Sequence, residues 1–358
     1  MNDLQQMLQV QVPDLDTEAM KKAQNRWNSR TKPPDSLGVL EETAVKIAGI
    51  TGCCPPELNR PAAVIAAADH GVVSEGVSAF PQEVTRQMVS NFASGGAAAN
   101  VLSKKQGAQM NIVDVGVLES IEHETVMDRR AGPGTENMAR GPAMTEKQLE
   151  KCLSAGAEMA RNLHAEGIDV VALGEMGIGN TTAASAITAT VTGGSVKEVT
   201  GPGTGLEGRD LQKKEEVVRQ VLKINQPDPD DATDILLKVG GFEIAFLTGF
   251  MITAPRLRLP VVLDGFICCS AALCAQVAAD EKDITDYYLA GHLSGEPGHS
   301  TVLQALDLRP LLKLDMCLGE GSGAILALGV IQNSLALLRD MASFSEAAVS
   351  DKSGGDSE

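Results

Sequence analysis

Two glutamates in this chain sit between glycines, each just past an apolar run of strand length. The first follows DVVAL (169–173) within Gly174-Glu175-Met176-Gly177-Ile178-Gly179-Asn180-Thr181-Thr182, ahead of an Ala-rich helical stretch from about Ala183. Three glycines let a backbone approach a ligand closely, and Asn and Thr are helix-capping types. Free N–H groups and the positive dipole end of a helix form an anion site that needs no lysine. A tight βα turn with a solvated glutamate fits the same spacing. The second carboxylate follows LLKLDM (311–316) within Cys317-Leu318-Gly319-Glu320-Gly321-Ser322-Gly323, before the helical AILALGVIQ. Apolar neighbours, or a second carboxylate such as Glu175, would raise the pKa of Glu320 and suit it to general-base work near neutral pH. A helix-start glutamate stabilised by the dipole would be lowered instead. The residues alone leave both readings open.

Other motifs carry less. Gly203-Thr204-Gly205-Leu206-Glu207-Gly208 matches GxGxxG but follows EVTGP, too short for the first strand of a dinucleotide fold. A turn ahead of the charged helix 209–223 is the preferred reading, with an NAD-dependent oxidoreductase as its rival. Asp69-His70-Gly71 reads as a structural hydrogen bond, since five His without ligand spacing make a metal centre unpromising. The segment Gly291–Ser300 (GHLSGEPGHS) could line the same crevice, but is read as a wet loop. No Walker-type GxxxxGK[ST], HExxH or GxSxG occurs, so the phosphate-loop, zinc-protease and nucleophile-elbow classes fall away.

Charge narrows the partners. Across 358 residues, 30 Lys+Arg face 47 Asp+Glu, a net charge of −17, with no basic stripe to offset it. Such a surface repels a phosphate backbone, and one Trp, two Tyr and seven Phe offer few stacking platforms, so nucleic acid is excluded as a partner. With 43% hydrophobic and 22% charged residues the chain is expected to fold as a globular protein. MNDLQQMLQV lacks the pattern of a signal peptide, and no purely apolar run of eighteen residues suggests a membrane span. Seven cysteines without a CxxC pair suggest reduced, mostly buried thiols in a cytoplasmic protein.

These loops need a scaffold. AAVIAAA (62–68), NIVDVGV (111–117), DVVAL, LPVVLDG (259–265), DYYLAG (286–291) and LLKLDM alternate with Gly-rich loops and helical patterns. The rhythm predicts a mostly parallel sheet covered by helices on both faces, with ligands beyond the carboxyl ends of the strands. Before it, Asp16 is expected to cap a helix through about Asn28 and Ser36 a second one. Thr145-x-x-Gln148 forms a capping box opening a helix that closes near Gly167. Pro55-Pro56 is a plausible boundary, and SEAAVSDKSGGDSE reads as a frayed tail.

KPPDSLG (32–38), ADHGV (68–72), EGVSAFPQEVT (75–85), GEMGIGNTT (174–182), KVGGFEIAFLTG (238–249), LPVVLDGF (259–266) and LGEGSGA (318–324) occur in this order. Together they make the chain resemble the nicotinate-nucleotide–dimethylbenzimidazole phosphoribosyltransferases of cobalamin synthesis, from about Lys32 to Leu328. The resemblance implies a doubly wound α/β domain (56–325) and a small helical domain built from residues 1–55 and 326–345, with 346–358 as tail. It also implies a homodimer acting on nicotinate mononucleotide and dimethylbenzimidazole, with no cofactor or metal. By motif, Glu320 is the general base and Glu175 stabilises the ribose. Gly174, Met176, Gly177, Ile178, Gly179, Asn180, Thr181, Gly203, Lys214 and Ser294 hold the phosphoribosyl part. Phe80, Met88 and Leu318 line the base pocket. Cys317 departs from the pattern, standing where the family is expected to carry Arg. A non-catalytic nucleotide-binding protein on the same fold is a further alternative.

Overall fold

The computed structural model describes Leu8, residues 12–279 and residues 284–350. Seven parallel strands form one sheet: β1 (Pro61–Ala68), β2 (Gln109–Gly116), β3 (Val126–Asp128), β4 (Val170–Met176), β5 (Val261–Leu263), β6 (Tyr288–Leu293) and β7 (Pro310–Lys313). Their order is β3-β2-β1-β4-β5-β6-β7. The chain winds outward from β1 to β3, returns to place β4 on the other side of β1, and continues to β7. The doubly wound α/β expectation is met. The reversal between β1 and β4 opens a crevice at their carboxyl ends, where ligands of such sheets bind.

The sequence of β1, PAAVIAAA, is buried at every position. A strand covered on both faces has no side that must be polar, which explains the unbroken apolar run. On one face, helix Phe242–Thr253 packs on β1, β2 and β4 and against helices Glu146–Ala165 and Phe266–Ala279. On the other, helix Ser322–Asp340 packs on β4 to β7 and against helix Ala98–Gln106. Ser322–Asp340 is long and apolar enough to cross a membrane, but 56% of its apolar window is already buried in protein. Its face belongs to the sheet.

The expected caps divide. Asp16 accepts the Ala19 N–H at 2.9 Å and opens helix Thr17–Ser29, and Thr145 and Gln148 form the expected box. Ser36 does not cap the second helix. Helix Val39–Thr51 starts after Gly38, and Glu41 reaches back to the Leu37 N–H at 2.9 Å while pairing with buried Lys32 at 2.7 Å. A carboxylate in the first turn does there what a serine was expected to do. Helix Thr17–Ser29 meets the end of helix Ser322–Asp340: Arg26 and Arg30 donate to the Leu338 carbonyl at 2.8 and 2.9 Å, and Arg30 bridges to Ser343. Cations at a helix carboxyl end satisfy its orphan carbonyls. Helix Ser322–Asp340 itself runs unbroken across residue 325, so the expected domain boundary falls inside it. Strand β3 carries no signal in the sequence, and the strand predicted over LLKLDM ends at Lys313. The expected tail beyond Ser350 lies outside the described residues.

Candidate active site

Strand β4 carries its glutamate to the reversal point by pairing Ala66 of β1 with Glu175. The preceding glycine is required by packing. A Cβ on Gly174 would lie 2.4 Å from the Gly321 backbone nitrogen, so only glycine lets the two loops cross in contact. The second loop holds Gly319, Glu320 and Gly321 at φ of 79°, 62° and 76°, three successive left-handed residues. For a glutamate this conformation is strained, and such strain persists where surrounding structure enforces it. The enforcing group is Asp264, just past β5. It accepts the N–H groups of Gly321, Gly323 and Ala324 at 3.2, 2.7 and 3.1 Å. One buried carboxylate thus caps helix Ser322–Asp340 from another strand and fixes the turn carrying Glu320.

Glu175 and Glu320 open onto the same cavity of about 440 Å³. Its size is typical of small-molecule sites. Both are nearly buried, at 5% and 6% exposed. Glu175 takes a hydrogen bond from the Asn180 amide. Burial, then the charges of Asp264, Glu243 and Glu320, hold Glu175 well above the usual carboxylate range. Burial and then Asp264 raise Glu320 as well, and one of its oxygens is buried without a partner. The dipole-stabilised reading, with a lowered pKa, does not describe Glu320. A carboxylate raised in this way and left a free oxygen is suited to accept a proton.

The remaining expected residues fall into two groups. Met176, Gly177, Ile178, Asn180, Thr181, Gly203, Ser294, Phe80 and Leu318 all line the cavity, as does Cys317. Gly174, Gly179, Lys214 and Met88 do not. Gly174 lies beneath the loop, and Gly179 forms the left-handed cap of helix Asn180–Thr192. Met88 is half-buried on helix Glu83–Ala93 and packs against the core. Lys214 stands one step behind the wall: its Nζ donates to Thr181 Oγ1 and the Gly201 carbonyl, each at 2.9 Å. Complete burial lowers its pKa to about 8, with Glu296 acting the other way.

Two expectations about loops resolve in opposite directions. His70 bonds Glu243 at 2.7 Å inside the protein, the structural hydrogen bond foreseen for Asp69-His70-Gly71. Burial opposes charge on this imidazole, but Glu243 and Asp69 keep its pKa above the ordinary value. The segment Gly291–Ser300, by contrast, is not a wet loop. His292, Glu296 and His299 are 2%, 8% and 0% exposed, and His292, Ser294 and Glu296 line the cavity. The chain rises there as strand β6 and leaves as helix Pro297–Ala305, so the stretch belongs to the fold's interior. The GxGxxG follows the short helix Val196–Val199, not a strand, and helix Gly208–Asn225 begins at its last glycine. The strand–turn–helix context of a dinucleotide fingerprint is missing.

Asp264, His292, Glu296 and Phe266 were not foreseen as part of the site. Asp264 had a signal, an acidic residue immediately after the apolar LPVVL, at a strand's carboxyl end. Among the described residues no three His, Cys, Asp or Glu side chains gather as a metal site.

A family described as "Phosphoribosyltransferase" matches residues 12–349. The nicotinate-nucleotide–dimethylbenzimidazole phosphoribosyltransferase of Chloroflexus aggregans is 48% identical over 94% of this chain and 96% of its own length. The chain belongs to this phosphoribosyltransferase family. A protein of the same name from Halalkalibacterium halodurans is 44% identical, covering 95% of this chain and 94% of its own. Among solved structures, CobT from Thermus thermophilus superposes with a TM-score of 0.89 at 46% identity, covering 93% of this chain and 99% of that one. The phosphoribosyltransferase match spans both Gly-flanked glutamates, and therefore the whole of the site described above.

Proposed function

We propose that this chain transfers phosphoribose from nicotinate mononucleotide to 5,6-dimethylbenzimidazole, releasing nicotinate and forming α-ribazole 5′-phosphate for the nucleotide loop of cobalamin. The observation that carries the reading is the convergence of Glu175 and Glu320, from loops far apart in sequence, on one cavity at the sheet's reversal point.

The chemistry asks for one base. The nicotinate ring departs neutral from a pyridinium and needs no acid, whereas the attacking benzimidazole must lose its ring proton. Glu320 takes that proton, its orphan oxygen serving as the acceptor. As the glycosidic bond breaks, the ribose gains positive charge, which Glu175 stabilises together with the field of Asp264. The pyridinium and the positive charge growing on the ribose draw Glu175 toward its ionised form, offsetting the burial and carboxylate repulsion that favour its proton in the empty cavity. Attack opposite the leaving group converts a β-linked substrate to an α-linked product in a single displacement.

In this reading the loop Gly174–Thr181, with Gly203 and Ser294, grips the phosphoribosyl group, and Lys214 supplies charge through Thr181. Phe80 and Leu318 flank the acceptor base, with Met88 acting from behind. Of the expected small domain, residues 12–55 and 326–345 form the helical unit of a homodimer subunit, supported by the contacts joining Arg26 and Arg30 to Leu338. All seven cysteines are free, which supports a reducing, cytoplasmic setting.

Nicotinate release from purified protein, nucleotide and dimethylbenzimidazole tests the reading. Glu320→Gln should lower turnover by about 10²–10⁴ while the nucleotide still binds. Binding without release by the wild-type protein would instead favour a non-catalytic nucleotide-binding role.

A further inference from the structure

The turn between β6 and helix Pro297–Ala305 places a buried carboxylate among the donors that a phosphate needs. Glu296 Oε1 accepts the Gly203 N–H at 3.0 Å, while Oε2 is buried without any partner. Oε2 lies against Gly201, where even a Cβ would come within 2.1 Å of it. Across the same backbone segment, Lys214 Nζ holds Thr181 Oγ1 and the Gly201 carbonyl. Gly203, Thr181 and Glu296 share the cavity wall. An amide, a hydroxyl and an ammonium thus converge, and a carboxylate already occupies the amide.

A carboxylate and a phosphate dianion are both acceptors and cannot share one N–H without repulsion. We propose that Glu296 takes up a proton from solvent as the nucleotide phosphate binds, yielding the Gly203 N–H and presenting its own O–H to a phosphate oxygen. This rests on the function proposed above. It adds a substrate-contacting acid that no motif assigned. Burial raises the Glu296 pKa, and Lys214 and the Gly203 N–H oppose the shift, so the side chain is set to change state when a second anion arrives.

The charged group acting on Glu296 from a neighbouring element is Lys214, on helix Gly208–Asn225. Segment 200–205 and helix Asn180–Thr192 contain no ionisable side chain, and Lys197 and Glu198 are exposed on their short helix. Within its own segment, His292 faces Asp264 at 3.6 Å. His299 is engaged by Ser294 and Cys269 and lowered to about 3 by burial, hence neutral.

The test is calorimetric titration of the protein with nicotinate mononucleotide at pH 7.0, in buffers of different ionisation enthalpy. Lys214, with a pKa of about 8, takes up only about 0.1 proton on becoming fully charged. A phosphate with its second pKa at about 6 releases about 0.1 on becoming a full dianion, so the two nearly cancel. The expected result is that the wild type takes up more than roughly half a proton beyond what Glu296→Gln does, the proton released by Glu175 being common to both; the variant still binds because its amide is a permanent neutral donor. Between pH 6.5 and 7.5 the nucleotide KM of the wild type should rise with pH relative to that of the variant. Equal net proton exchange by the wild type and the variant overturns the inference and leaves the transferase intact. Failure of the wild type to bind the nucleotide overturns both.

Discussion

Replacing Asp264 separates its two effects, on stability and on the neighbouring base. In Asp264→Ala the N–H groups of Gly321, Gly323 and Ala324 lose their acceptor together. Hydrogen bonds to a charged group contribute about 1.5–3 kcal/mol each, so three amount to about 4.5–9 kcal/mol. Removing the buried charge also recovers part of its own desolvation cost, which brings the net loss to about 3–5 kcal/mol. Denaturant unfolding measures it. Asp264→Asn retains an oxygen for Gly323 and Ala324, both bound to Oδ1, but turns an amide toward the Gly321 N–H. It should lose only about 1–3 kcal/mol. Its second effect is electrostatic. After burial, the Asp264 charge is what raises Glu320. A general base works deprotonated, so activity climbs as pH rises through the pKa of Glu320 in the folded enzyme. Neutralising Asp264 lowers that pKa, and the acid limb of kcat/KM for nicotinate release should move to lower pH. An acid limb that stays in place in Asp264→Asn, or moves upward, would refute the coupling and with it the account of how Glu320 is tuned.

Further outcomes follow from the same geometry. Glu175 has a raised pKa in the folded chain, so its stabilising contribution is full below the ordinary carboxylate value and is lost as pH rises through the folded value. Glu175→Gln keeps an acceptor for Asn180 and should therefore be more stable than wild type at pH 8, by about 1 kcal/mol, with the gap closing toward pH 4 as thermal unfolding at each pH records. The same variant should turn over poorly; silence in the nicotinate assay would remove Glu175 from the ribose. Gly174→Ala drives a Cβ to 2.4 Å from the Gly321 nitrogen, so it should destabilise by about 1–3 kcal/mol and depress kcat by displacing Glu320. Thiol titration of the folded protein should find Cys53 and Cys317 fast and Cys152, Cys268, Cys269 and Cys274 silent. A bulky adduct on Cys317, which lines the cavity, should block nicotinate release, and substrate should slow its formation.

The elements that were legible from sequence are those whose signals are local. Buried parallel strands show as unbroken apolar runs, as in PAAVIAAA, and caps such as Asp16 and Thr145–Gln148 satisfy their bonds within a few residues. The two glutamates showed because glycines on either side announce a backbone doing something unusual. What stayed hidden depends on contacts across the chain. Asp264 binds amides some sixty positions away, and Glu296 binds an amide in a loop about ninety before it. Ser36 looks a better cap than Glu41 in the sequence because the pairing of Glu41 with Lys32 exists only once the turn is built. The wet-loop reading of Gly291–Ser300 failed for a related reason: its histidines and Glu296 are buried by neighbours, and His299 is satisfied internally by Ser294 and Cys269. Polar side chains with distant partners look like solvent-facing ones until the fold supplies those partners. In this site they form the support that forces Glu320 into a left-handed turn, so the chemistry visible in LGEGSGA rests on groups invisible beside it.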